Sequence, residues 1–125
     1  MADFTDRELD VMAVLWTLES GTVAEVRAAL ADELAYTTVL TVLRTLEAKG
    51  HVRHREEGKA HRYIPTVARR QAGEHGVRRL VDKMFAGSAE ALLTHLVSDR
   101  RLSRAKLTRL RDLLDQRLHE DNKDR

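Results

Sequence analysis

Four threonines interrupt the stretch AYTTVLTVLRTLEAKG, Ala35 to Gly50, where valines and leucines otherwise fall at helical spacing. β-Branched residues are mediocre helix formers. A solvated helix face is more often built from Glu, Lys, Gln or Ala, which stabilise helices better. Thr37, Thr38, Thr41 and Thr45 offer different chemistry. A threonine hydroxyl donates to a phosphate or a base edge, and its methyl can touch a thymine methyl. Being short, it lets a helix axis sit near the floor of a groove. These residues lie opposite the apolar Val39/Leu43/Leu46 stripe, toward the N-terminal half of the helix, the end of a recognition helix that reaches bases. Arg44 stands close by for guanine or phosphate, and the N-terminal amides add a dipole that favours phosphate. The rival reading is a solvated face that happens to be rich in threonine.

The next segment, HVRHREEGKAHRYIP from His51 to Pro65, alternates about Glu57-Gly58 and predicts a β-hairpin. Arg53, Arg55 and Lys59 on it, with Lys49 just before it, suit phosphate neutralisation. Such contacts give affinity and salt dependence but little sequence information. A merely solvated basic surface has the same composition. Tyr36 and Tyr63 fit DNA contact or packing; Trp16 fits the core.

Other chemistries find little material. There is no cysteine, hence no disulfide, thiolate metal site or cysteine nucleophile. There is no glycine-rich phosphate loop and no nucleophile elbow, so no catalytic residue and no cofactor is assigned. His51, His54, His61 and His75 are the raw material for a metal-responsive regulator. However, His51 and His54 on one strand would point to opposite faces, and no metal is assigned. His95, among Leu92, Leu93 and Leu96, reads as an interface residue. A winged-helix module that binds protein rather than DNA is a further alternative; such modules usually lose the basic charge that Arg44, Lys49, Arg53, Arg55 and Lys59 keep.

The elements that must position these residues are legible from caps and periodicity. Thr5–Glu8 and Thr22–Glu25 each read T-x-x-E, the capping box that starts a helix. The first helix would bury Leu9, Met12, Ala13 and Trp16, and the second Val23, Val26 and Leu30. The third would bury Val39, Val42, Leu43 and Leu46, with Leu40 at the edge and Gly50 as its stop. Pro65 ends the hairpin, and Thr66 is placed to cap a helix from about Ala68. That helix carries Val77, Leu80, Val81 and Met84. Gly73 and Gly76, each costing about 1 kcal/mol against Ala, predict that it bends or begins late. After a break at Gly87-Ser88, Ala89, Leu92, Leu93, Leu96 and Val97 form another stripe. A loop from Ser98 to Ser103 then leads to Leu107, Leu110, Leu114 and Leu118, and the tail from His119 is expected to fray.

The expected fold is mainly α with a small β-hairpin. Residues 1–66 form a winged helix-turn-helix DNA-binding domain, 67–120 a helical dimerisation domain and 121–125 a polar tail. The last helices carry more apolar surface than they can bury alone, so a second copy is expected to cover it. Leu80, Met84, Leu92, Leu96, Leu107, Leu110 and Leu114 are the candidate contacts. Charge follows the division. Residues 1–34 hold 2 basic and 8 acidic side chains, 35–65 hold 6 and 3, and 66–125 hold 14 and 9. An acidic start followed by a basic middle is more informative than the total; the third helix and the basic hairpin that follow the acidic start make double-stranded DNA the expected partner. With no leader pattern and no long apolar run, the chain reads as cytoplasmic and free of membrane.

TDRELDVMAVLW (Thr5 to Trp16), TVAEV (Thr22 to Val26), AYTTVLTVLRTLEAKG and HRYIP (His61 to Pro65) occur in an order and spacing that resemble the penicillinase-repressor family of bacterial transcription factors. LVDKMFAGSAEALLTHLV (Leu80 to Val97) is similar to that family's dimerisation region. The resemblance implies a homodimer that represses transcription from palindromic TACA/TGTA-like operators, with base and phosphate contacts at Thr37, Thr38, Thr41 and Thr45. Other members often carry Lys or Arg at the positions of Thr37 and Thr45. It also raises a sensor protease as partner, because beta-lactam-responsive members are cut at an Asn-Phe pair. His95-Leu96 stands at that place here. Copper-responsive members carry paired cysteines, which this chain lacks.

Overall fold

The computed structural model describes residues 4–123. In order, the elements are α1 (Asp6–Leu18), β1 (Gly21–Thr22), α2 (Val23–Ala29), α3 (Tyr36–Ala48), β2 (Val52–Glu57), β3 (Ala60–Pro65), α4 (Arg69–Met84), α5 (Ala89–Val97) and α6 (Arg104–Lys123). The fold is mostly helical with a small antiparallel sheet, as expected. The chain divides into two compact units, Met1–Arg79 and Leu80–Arg125.

In the first unit both capping boxes form in full. The Thr5 and Thr22 hydroxyls accept from the Glu8 and Glu25 amides, while those carboxylates accept from the threonine amides. Each box satisfies N-terminal donors that a helix otherwise leaves unpaired. The helices close on a core of Val11, Met12, Leu15, Val23, Val26, Val39, Leu43, Leu46, Val52 and Tyr63.

The burial of α1 departs from expectation. Val11, Met12 and Leu15 are buried with Glu8, whereas Leu9 and Ala13 are exposed. Two overlapping stripes in α1 satisfy helical spacing, and packing against α2 and α3 selects the one bearing Val11 and Leu15. Trp16 lies at the margin of that core. Its Nε1–H donates to the Val67 carbonyl at 2.8 Å, and its ring meets Phe4 edge-on.

The hairpin gains a third strand that periodicity did not reveal. β3 is central, with β2 on one side and β1 on the other. Gly21 pairs with Tyr63 and Thr22 with Arg62. Gly21 is buried, and a Cβ there would stand 3.1 Å from Val26 Cγ2, a tight fit in which Val26 would have to yield by a few tenths of an ångström. Two residues are too short to register as a strand pattern. The turn itself falls at Gly58-Lys59, one residue later than expected, because Glu57 pairs with Ala60.

Three local expectations are corrected. Thr66 does not cap α4; its hydroxyl donates to the Gly50 carbonyl at 2.6 Å, and the Gln71 side chain accepts from the Ala68 amide instead. Gly73 and Gly76 do not delay α4, which starts at Arg69 ahead of both. α6 continues to Lys123, with Arg117 and Asp121 paired one turn apart, so the expected fraying tail is helical as far as it is described. Asp124 and Arg125 lie outside the described residues.

Within the second unit, α5 is capped by Ser88. Neither α5 nor α6 contains a buried residue. No helix among the described residues is long and apolar enough to cross a membrane.

Glu8 is 4 % exposed and receives the Lys49 ammonium at 2.8 Å, tying the start of α1 to the end of α3. Burial pushes its carboxyl upward, but hydrogen bonds from Lys49 and the Thr5 amide outweigh that and hold it below the usual glutamate range. A carboxyl lowered on folding stabilises the fold fully above its unfolded pKa and ceases to do so as pH falls through the folded value. Glu8→Gln is therefore expected to lower stability at neutral pH by about 1–2 kcal/mol. It should also flatten the acid limb of a denaturation-midpoint series from pH 7 to 3. An identical pH slope in the two proteins would refute the role of this carboxylate.

Candidate nucleic-acid interface

The rotation of α3 decides which side chains it offers. Val39, Leu43 and Leu46 are fully buried, and C-terminally a glycine stops the helix. Gly50 has φ of 83°, the left-handed geometry that suits glycine after a helix end. With that stripe inward, Thr37, Thr38, Thr41, Arg44 and Thr45 are all exposed. The structure thus brings these five sequence-predicted residues onto one surface of one helix.

The threonines are not chemically equivalent. Thr41 Oγ1 donates to the Thr37 carbonyl and Thr45 Oγ1 to the Thr41 carbonyl, both at 2.9 Å. Hydroxyls bonded back onto the helix keep acceptor lone pairs. In that state they suit acceptance from a base amino group and methyl contact more than donation to phosphate. Thr37 and Thr38 sit in the first turn. There the N-cap is Ala35, which supplies no capping side chain, in contrast to α1, α2 and α5. Open amides at a helix N-terminus favour an anion. Tyr36, the first helical residue, is 48 % exposed; it stands seven residues before Leu43, about two turns along the same side of the helix, and so lies off the threonine surface. Tyr63 is instead 1 % exposed, and burial raises its phenol pKa.

The basic residues separate into outward and inward sets. Arg53, Arg55 and Lys59 are exposed on the wing. Lys49, exposed and one turn beyond Thr45, has its ammonium on Glu8, a contact that links the end of α3 to the start of α1. Arg62 faces inward. Its guanidinium donates to Glu25 at 3.0 and 3.2 Å, to Glu57 at 2.8 and 3.0 Å, and to Ser20 at 3.2 Å. These contacts hold the wing against the start of α2. The Arg62 hydrogen bonds keep both Glu25 and Glu57 below the usual carboxylate range and push the guanidinium itself upward.

The histidines do not gather as ligands. His51 is 7 % exposed and packs on Phe4, with ring centroids 4.6 Å apart. Burial pushes its imidazole pKa down. His54 stacks on His61 and shares a 2.5 Å hydrogen bond with Glu47, joining β2 to α3. No group of three or more His, Cys, Asp or Glu among the described residues could hold a metal.

Residues 4–116 match the family profile of the penicillinase repressor. The chain is 41% identical over 97 residues to the transcriptional regulator BlaI of Mycobacterium tuberculosis, covering 74% of this chain and 70% of that protein. It is 25% identical over 114 residues to the penicillinase repressor of Bacillus licheniformis, covering 90% and 89%. Among solved structures, the DNA-binding domain of the repressor BlaI superposes with a TM-score of 0.50 at 32% identity, over 54% of this chain and 84% of that one.

The Arg62 contacts generate a direct test. Arg62→Met should speed amide hydrogen exchange across β2 and β3 while α1 and α3 keep their protection. Unchanged exchange in the wing would show that shape, not charge, holds it in place.

Proposed function

Because this chain belongs to the penicillinase repressor family, we propose that it is a homodimeric transcriptional repressor. It grips a palindromic operator of the TACA/TGTA type with two copies of α3 and two basic wings. Residues 1–66 bind DNA and residues 67–120 dimerise. The observation that carries this reading is the exposed threonine surface opposite the buried Val39/Leu43/Leu46 stripe. Thr37 and Thr38 meet phosphate or base edges from the open end of the helix. Thr41 and Thr45 present methyls and acceptors to bases, and Arg44 reaches guanine or backbone. Arg53, Arg55 and Lys59 neutralise phosphates without reading sequence. Lys49 supports the site through Glu8.

The dimer reading draws on apolar side chains that the single chain leaves open. Met84 is 73 %, Leu96 52 % and Leu114 50 % exposed, and Leu80 and Leu107 are also exposed. With Leu92 and Leu110 they form stripes that a second copy can cover. A dimer would set its two recognition helices about 34 Å apart, or a small multiple of that, to match the repeat of successive major grooves. Neither His95 nor Leu96 matches the Asn-Phe pair cut in other members, so the same cut is not expected at that place.

Three measurements check this reading. In gel-shift titrations, Thr41→Ala should weaken operator binding by ~1–3 kcal/mol and leave a scrambled duplex little affected; equal losses would reject base readout. Arg55→Ala should weaken both duplexes alike and reduce the salt slope by about one unit; an unaltered slope would remove Arg55 from the phosphate contacts. Leu96→Asp should sediment as monomer and lose operator affinity, whereas an intact dimer would place the interface elsewhere.

A further inference from the structure

The charge along α6 runs against its own dipole. Its first eight residues hold Arg104, Lys106, Arg109 and Arg111 and no acidic residue. From Asp112 to Lys123 it carries Asp112, Asp115, Glu120 and Asp121 against Arg117 and Lys123. Cations near a helix N-terminus and anions toward its C-terminus are each unfavourable for the isolated helix. Arg117–Asp121 and the long Arg111–Asp112 contact offset only part of this. Leu107, Leu110, Leu114 and Leu118 meanwhile form one continuous stripe at spacings of three and four residues. Leu107, Leu114 and Leu118 are 37, 50 and 63 % exposed.

We propose that α6 pairs antiparallel with α6 of a second copy, so that the basic half of each helix lies along the acidic half of the other. This rests on the homodimer reading and adds the direction and register of one contact within it. Antiparallel alignment also opposes the two macrodipoles, where a parallel pair would set basic half beside basic half. With the dyad near residues 112 and 113, Leu107 of one copy lies opposite Leu118 of the other, and Leu110 falls beside Leu114. Lys106 and Glu120 are fourteen residues apart, roughly four turns. They therefore share one flank of the leucine stripe. Same-flank residues face each other across an antiparallel pair, which brings Lys106 of each copy to Glu120 of the other.

The absence of cysteine makes the register directly readable in the full-length chain. Under mild oxidation, Lys106→Cys with Glu120→Cys in the same chain should yield disulfide-linked dimers. Neither single substitution should do so, because in this register the two Lys106 positions are separated by roughly 20 Å along the axis. Self-linking by each single variant would establish a parallel pair and overturn the proposal. Failure of the double variant to link while it sediments as a dimer would also overturn it and leave the homodimer standing. Monomeric sedimentation of the unsubstituted chain would overturn both readings.

Discussion

The complete burial of Val39, Leu43 and Leu46 fixes the rotation of α3, and the rest of the candidate interface follows from that rotation. A helix with one stripe wholly removed from water has no freedom to roll. Rotating it would expose valine and leucine and bury threonine hydroxyls, each at a cost of a few kcal/mol. The core that receives the stripe comes from Val11, Met12 and Leu15 of α1 and from Val23 and Val26 of α2. The short helices before α3 act as its seat.

Electrostatics sort the charged residues into structural and available sets. Lys49 and Arg62 have their cationic ends on Glu8, Glu25 and Glu57. Two of those carboxylates also close capping boxes, so one group ends a helix cleanly and anchors a neighbouring element. The acidic character of the first 34 residues is partly consumed in this way. Arg44, Arg53, Arg55 and Lys59 remain exposed on α3 and the wing, where a polyanion can reach them.

The second unit obeys a different economy. Its two complete helices, α5 and α6, bury nothing completely. Helices gain most of their stability from packing an apolar face, so leucine stripes left open on α5 and α6 ask for a partner surface.

The amino-acid sequence alone determined the element types, the two capping boxes, the inward stripe of α3 and the outward threonines, because each is a local pattern of spacing and cap chemistry. It also carried the family resemblance across nearly the whole chain. Tertiary structure decided what spacing leaves degenerate or silent. Packing chose between two helical stripes on α1, and pairing with β3 made a strand of Gly21-Thr22. Lys49, Arg55 and Arg62 look alike as basic residues near one hairpin. Only the positions of Glu8, Glu25 and Glu57 in space determine that the charged ends of Lys49 and Arg62 are paired with carboxylates while Arg55 stands exposed on the wing.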